Sequence, residues 1–241
     1  MPDGEVTPAT PREQLRENIE LTRRSTVHTK SIQRIRTSNV EMAHLFIAWI
    51  ATSYAFSILL LWDSLHRRPR IEELFGDLAV NLFTLSLLTV GIAFIVHEMA
   101  HKFVAQQYGA WAEFRMSFPM LLLAIYLAYQ LGFLFAAPGA VMIYGSYLTR
   151  AQNGHISIAG TLANLMLAFM FMPLLDAGGF LHEIGRYGVM INLALAAFNM
   201  LPIPPLDGQK VWAWSKAAYI LTGLMIAVAA AVWFGGLDIR A

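Results

Sequence analysis

The sequence predicts an all-α polytopic membrane protein with about five full transmembrane helices, a re-entrant segment and short membrane-embedded β-strands. Three observations predict it. Of the 241 residues, 57% are hydrophobic and 14% charged, against roughly a quarter charged in average globular chains. Mean hydropathy is +0.52. Apolar runs recur at about 42–62, 78–106, 119–137, 156–175, 187–203 and 211–234, most of them near the ~20 residues that a span requires. A formal net charge of +1 gives no reason to expect a nucleic-acid partner. With no cysteine there is neither a disulfide framework nor a thiolate metal site, so any metal must be held by His, Asp or Glu.

Residues 1–41 read as a polar tail, and the first apolar run begins only after Val40, so no cleavable signal peptide is expected. From Arg12 to Arg36 the tail carries Arg12, Arg16, Arg23, Arg24, Lys30, Arg34 and Arg36 against Glu13, Glu17 and Glu20. It is either a solvated segment or a surface for anionic lipid headgroups. Its basic excess beside the first span favours a cytoplasmic N-terminus. Arg67, Arg68 and Arg70 in the loop 63–77 pull against that orientation.

The run 78–106 is longer than a span needs, about 40 Å at the helical rise, so its C-terminal part is expected at the interface or along a cavity. Gly109–Phe118 and Phe133–Ile143 lack helix signals and read as short strands. Strands at membrane depth are tolerated only when buried in protein or lining a water-filled cavity. No repeat or appended soluble domain interrupts the rest, so residues 42–241 are expected to form one transmembrane domain.

The chemistry concentrates at His97-Glu98-Met99-Ala100-His101, within an apolar run. On a helix, residues four apart share a face, so both imidazoles can reach one metal. Glu98, between them in sequence, is placed to take a proton from water, whose pKa zinc lowers to about 7. A chance HExxH is the plain alternative. Here, however, the three ionisable groups sit amid Ile92, Phe94, Ile95 and Val96. Charged groups at such depth cost about 2.5–3.5 kcal/mol each on insertion scales. A bound cation compensates them.

Two histidines leave a catalytic zinc one protein ligand short. Candidates for the third are His155, His182, Asp176, Glu183 and Asp207. Asp207 follows Asn199-Met200-Leu201-Pro202-Ile203-Pro204-Pro205-Leu206 and precedes Gly208. The prolines break the preceding helix and Gly208 allows a turn, so the aspartate can be aimed inward. Spacing alone balances this against a plain N-cap for the last helix, starting near Gln209.

HEMAH in an apolar helix, followed about a hundred residues later by Asn-x-x-Pro-x-Pro-x-Leu-Asp-Gly, resembles the site-2 protease family of intramembrane zinc metalloproteases. The resemblance covers most of residues 78–210, the expected catalytic core. It implies one Zn2+ per chain, held by His97, His101 and Asp207, with Glu98 as the catalytic acid/base. It also implies that Asn199 orients substrate or supports the oxyanion, and that the substrate is a transmembrane protein cut within or near its span. A third family motif, Ala-Gly-Pro-x-x-Asn, is matched in part by Ala159-Gly160-Thr161-Leu162-Ala163-Asn164, with Thr161 for the proline. Asn164 then either donates to the active site or bonds across helices, the commoner fate of asparagine in membranes. The run Ala136-Ala137-Pro138-Gly139-Ala140-Val141 is similar to the strand region of compact microbial members, and no PDZ or CBS module is present.

The resemblance constrains topology. His97 and His101 lie near the end of one span and Asp207 follows the end of another, so both spans must run the same way. If 119–137 and 156–175 both crossed, Asp207 would be on the wrong side. The segment 119–137 is therefore expected to be re-entrant, and the zinc site is expected toward the cytoplasmic face of a microbial cell membrane. Two rival classes remain. A metal transporter would carry a trail of charged groups through the membrane. An inactive relative would lack Glu98 or a ligand.

Overall fold

The computed structural model describes residues 35–134, 138–144 and 148–237. The basic tail up to Arg34 lies outside the described residues, as do Ala136 and Ala137 of the expected strand region.

α1 (Asn39–Leu65) starts where the Ser38 side chain accepts from the Glu41 backbone N–H and ends at His66 in the left-handed region. The loop that follows holds a 3-10 turn, Ile71–Phe75. α2 (Asp77–Ser86), a π turn (Leu87–Gly91) and α3 (Ile92–Gln107) then form one 31-residue rod. The π turn disturbs the regular hydrogen-bond ladder, and the Leu87 carbonyl accepts from Trp49 Nε1 of α1 at 3.1 Å. Gly91 makes that contact geometrically feasible, since a Cβ there would lie 2.3 Å from Trp49 Nε1. α1 thus packs directly on the bend above the HEMAH turns.

β1 (Trp111–Met116) and β2 (Gly139–Tyr144) pair antiparallel, near the two stretches predicted as strands. Between them lies α4 (Phe118–Leu131), whose 14 residues reach about 21 Å, short of a ~30 Å hydrocarbon core. Met116 pairs with Gly139, so the chain returns from α4 to the level at which it left. The excursion is held to α1 by Trp62 Nε1, which donates to the Tyr129 carbonyl at 3.2 Å.

The outer side of β1 is closed by side chains. Glu41 Oε1 accepts from the Phe114 N–H at 2.9 Å, and Gln106 Nε2 donates to the Ala112 carbonyl at 3.0 Å. Phe114 and Ala112 therefore point their backbone groups away from β2. By the alternation of an antiparallel ladder, their partners Val141 and Ile143 point theirs outward on the other side, away from β1.

α5 (Arg150–Phe171) opens with a capping box between Thr149 and Gln152 and closes in a 3-10 turn, Met172–Asp176. Thr161, where the family motif has proline, continues this helix without a break. After a turn at Gly178 and Gly179, α6 (Phe180–Asn199) runs back to a proline-rich stretch with a cis Pro204–Pro205 bond. α7 (Asp207–Trp214) and α8 (Lys216–Leu237) complete the described chain. α5 is the central helix, packed on α3, α6 and α7. Apart from Ile156, its buried residues are small or polar, namely Gly154, Ser157, Gly160, Thr161, Asn164 and Ala168. Small residues let membrane helices approach closely where the bilayer offers no hydrophobic drive.

The architecture is that of a helical membrane protein with a small two-stranded sheet. Among the described residues four helices are long and apolar enough to cross a membrane: Asn39–Leu65, Asp77–Gln107, Arg150–Asp176 and Lys216–Gly235. α6 is 20 residues long but opens on Glu183 and Arg186, and it is not one of these four. The expected run 187–203 begins only after those charges, which is why it reads as an apolar run.

Candidate metal centre

Two elements deliver three side chains to one point. α3 presents His97 and His101 one turn apart, their ring centroids 4.6 Å from each other. The first residue of α7 presents Asp207. Its Oδ2 lies 3.0 Å from His101 Nε2 and 3.5 Å from His97 Nε2. All three side chains are buried. The N-cap of α7 is Leu206, with no side-chain capping bond, so Asp207 does not serve as the plain helix cap that its spacing left open.

Gly160 makes the site's close packing feasible. A Cβ at this position of α5 would come within 2.6 Å of ring atoms of both His97 and His101. Gly208 has a similar role at the other end of the site, since its Cβ would sit 2.2 Å from the Met200 carbonyl oxygen. The sequence suggested a sharp turn there. The structure shows close approach instead, with α7 folded against the end of α6 and no positive φ at Gly208.

The tautomers decide what the cluster needs. His97 Nδ1 lies 2.6 Å from Asn164 Oδ1, and His101 Nδ1 lies 2.7 Å from the Ile156 carbonyl. Both partners are acceptors, so both Nδ1 atoms carry a proton, and in the neutral rings both Nε2 atoms present lone pairs. Those two lone pairs stand 3.0 Å apart and face a carboxylate oxygen. With both rings neutral three acceptors converge, an arrangement that a proton or a cation between them completes. Histidine and carboxylate ligands, with outer-side hydrogen bonds fixing each ring, suit zinc. His97, His101 and Asp207 bring one ligand atom each within 4.8 Å of one another, and they are the sole such group among the described residues.

The other candidates for a third ligand have different surroundings. His155 Nδ1 pairs with the Tyr108 hydroxyl, His182 Nδ1 with the Leu175 carbonyl, and Glu183 with Arg186. Asp176 ends the 3-10 turn at the far end of α5.

Glu98, half-buried, lines the same cavity of about 280 Å³ as the three ligand candidates. Its Oε2 accepts from the Val141 N–H of β2 at 3.2 Å. The outward side of β2 thus faces the cavity at the carboxylate. Asn199 also lines it; one amide hydrogen bonds back to the Leu195 carbonyl, while Oδ1 has no partner among the described residues.

Asn164 is placed differently. It is fully buried and does not line the cavity, and its amide donates to Ala93 O and to Asn192 Oδ1. Its bonds run across helices, to α6 and, through Oδ1, to His97 of α3. The sequence reading also missed Lys210, whose Nζ donates to Asp207 Oδ1 at 3.2 Å and leaves Oδ2 toward the histidines. The i,i+3 spacing from Asp207 was the available signal.

This centre, in a bundle of membrane-length helices, is of the metalloprotease class. Comparison with known proteins places it more narrowly. The chain is 41% identical over 192 residues to MJ0611 of Methanocaldococcus jannaschii, covering 78% of this chain and 92% of that protein. It is 30% identical over 154 residues to YwhC of Bacillus subtilis, covering 55% and 69% of the two chains. It is also 30% identical over 146 residues to Rip2 of Mycolicibacterium smegmatis, covering 54% and 56%. All three carry the name "Putative zinc metalloprotease". No protein-family model and no solved structure matches the chain. The chain belongs to this family of zinc metalloproteases, in agreement with the compact site-2 protease resemblance, and its cofactor is zinc.

Proposed function

We propose that the chain is an intramembrane zinc metalloprotease of the site-2 type, hydrolysing peptide bonds within or near transmembrane segments of membrane proteins in regulated intramembrane proteolysis. The observation that carries this reading is the meeting of a carboxylate, a three-ligand cluster and a strand edge in one cavity between membrane-length helices. In this reading residues 42–241 are the protease domain, with a core at about 78–210, and residues 1–41 are a cytoplasmic tail. α6 counts as a fifth span and α4 as the re-entrant segment. The chain then enters α3 and α6 from the same side, which brings His97, His101 and Asp207 to one depth near the cytoplasmic face of a microbial cell membrane. The partners are the lipid bilayer and a transmembrane protein substrate, and no nucleic acid is involved.

His97, His101 and Asp207 would hold zinc, which supplies Lewis acidity toward a carbonyl and acidifies water to about pKa 7. Glu98 takes the proton of the attacking water and returns it to the leaving amine. Asn199 offers its second amide N–H, the first being bonded to the Leu195 carbonyl, to the substrate carbonyl or the developing oxyanion. A substrate helix hides its carbonyls in its own ladder, so it must unwind before attack. The unwound strand pairs along β2, because β1 is closed by Glu41 and Gln106 while Val141 and Ile143 face the cavity. Bonding to the Val141 N–H holds Glu98 beside that strand. Lys210 keeps the second oxygen of Asp207 engaged, so that one oxygen is left to ligate.

The decisive experiment pairs zinc content with cleavage of a model membrane substrate in detergent or vesicles. Wild type should bind about one zinc per chain and cleave; Glu98→Gln should keep zinc and lose cleavage. Cleavage by Glu98→Gln at the wild-type rate would overturn the reading and direct attention to metal transport.

A further inference from the structure

A histidine ligates through Nε2 only while its proton stays on Nδ1, and His97 keeps its proton there through a chain of amides. Asn164 turns its Oδ1 toward His97 Nδ1. Were that amide flipped, its N–H groups would face Nδ1 and drive the proton to Nε2, the atom that faces His101 and Asp207. What opposes the flip lies on the far side of Asn164. Its Nδ2 donates to Asn192 Oδ1 at 2.8 Å and to the Ala93 carbonyl at 3.3 Å. The first of these is the shorter bond. Asn192 is oriented in turn, since its Nδ2 donates to the Gly188 carbonyl one turn earlier in α6 at 2.8 Å. Both asparagines are fully buried, where an amide end left without a partner is strongly disfavoured.

We propose that Asn192 is a positioning residue of the metal centre: through Asn164 it fixes the His97 tautomer and keeps the His97 Nε2 lone pair on the zinc side. This rests on His97 being a zinc ligand, as argued above. Asn192 itself touches none of the three ligand candidates. α6 therefore acts on the site twice, orienting a ligand of α3 from its middle and leading to Asp207 from its end. No local pattern marks Asn192, because a lone asparagine among Ile191, Leu193 and Leu195 is spaced like any other helix-packing residue.

The test compares wild type with Asn192→Leu, Asn192→Asp and Leu193→Ala, using two readouts. Histidine-selective 15N NMR of the metal-free protein reports the tautomer of His97, and chelator competition reports zinc affinity. Leucine is similar in size to asparagine but accepts no hydrogen bond, so Asn192→Leu should mix the His97 tautomers. It should also weaken zinc binding by about 10–100-fold, the usual effect of losing an outer partner of a ligand. Aspartate, protonated in this buried setting, keeps an oxygen toward Asn164 and an O–H toward the Gly188 carbonyl, so Asn192→Asp should hold a single tautomer and bind zinc within about threefold of wild type. Leu193→Ala opens a cavity at a buried apolar neighbour and should lower the thermal midpoint without moving either readout. If Asn192→Leu does not fold, Asn192→Ala carries the same expectation. A wild-type tautomer and affinity in the variants lacking the acceptor would overturn the proposal, as would an equal loss in Leu193→Ala. If His97→Ala leaves zinc affinity unchanged, the ligand assignment is what fails, and the tautomer readout still judges Asn192.

Discussion

α3 buries polar side chains in two places, and the two sets end differently. On one side Lys102 donates to Glu41 and to Thr37, while the other oxygen of Glu41 takes the Phe114 N–H. Every charge there has an opposite partner from the chain itself. On the other side the Nε2 atoms of His97 and His101 meet Asp207 Oδ2, and among the described residues no further side chain bonds there, Lys210 being engaged with the other carboxylate oxygen. Glu41 and Lys102 are as deeply buried as the histidines, at 0% and 1% exposure. Burial therefore does not separate a site from a strut. What separates them is where the partner stands: Lys102 closes directly on Glu41, whereas Lys210 takes Asp207 Oδ1 and leaves Oδ2 with the two histidines.

Removing a ligand should break this contrast most severely. Asp207→Ala or His101→Ala should weaken zinc binding by more than about 100-fold and abolish cleavage, since catalytic sites keep only three protein ligands. Gly160→Ala should do nearly the same without touching a ligand, because its Cβ would fall 2.6 Å from both rings. Zinc content by elemental analysis checks all three. Normal zinc in Gly160→Ala would show that α5 can retreat from the histidines. Glu98→Gln is the next largest, with cleavage falling about 10²–10⁴-fold, the usual contribution of a general base. Its zinc content should stay near one per chain, which distinguishes it from the ligand variants.

The two sets also differ in how far they were legible. HEMAH is a local pattern, with the residues that share a metal only one helical turn apart, so its geometry follows from the helix period. Asp207 was legible through the prolines before it and the family motif around it. The clamp was not, because the partners Glu41 and Lys102 lie 61 positions apart. A glutamate at the start of α1 reads as ordinary first-turn chemistry, and a lysine near the end of α3 as a solvated residue. The first strand was placed to within two residues at each end because it lacked helix periodicity, while the second was expected from Phe133 and begins at Gly139. The return of the chain between Met116 and Gly139 required the register, which no local pattern encodes. The division of the last apolar run into α7 and α8 was likewise hidden. Their break at Ser215 has neither glycine nor proline to mark it.

Breaking the clamp should affect stability rather than chemistry. Lys102→Met leaves Glu41 buried without its cation and should destabilise the bundle by about 3–5 kcal/mol, the range for removing one partner of a buried pair. The double change Glu41→Gln with Lys102→Met should recover much of that loss, because no lone charge remains and Gln can still accept from Phe114. Unfolding midpoints in mild detergent would measure both. A Lys102→Met protein as stable as wild type would mean that water reaches Glu41, and the clamp would then be no strut.

The smallest effect belongs to the ion pair outside the bundle. Arg67 and Glu73 meet in the loop after α1, with Arg67 largely exposed. The Arg67 side chain, then the Arg70 backbone N–H, hold the Glu73 carboxyl down to about 2. An unfolded glutamate titrates near ~4.3, so what the pair contributes is fully present above that pH and is lost as pH falls through about 2. From pH 5 to 8 it should be constant. Its size is limited by solvent screening, and Arg67→Ala should shift the unfolding midpoint by no more than about 2 °C. The buried clamp differs from this loop pair in the water around it, while the charges are the same. A midpoint in Arg67→Ala as low as that of Lys102→Met would show that charge pairing, not desolvation, sets the scale, and the contrast between the two faces of α3 would lose its physical basis.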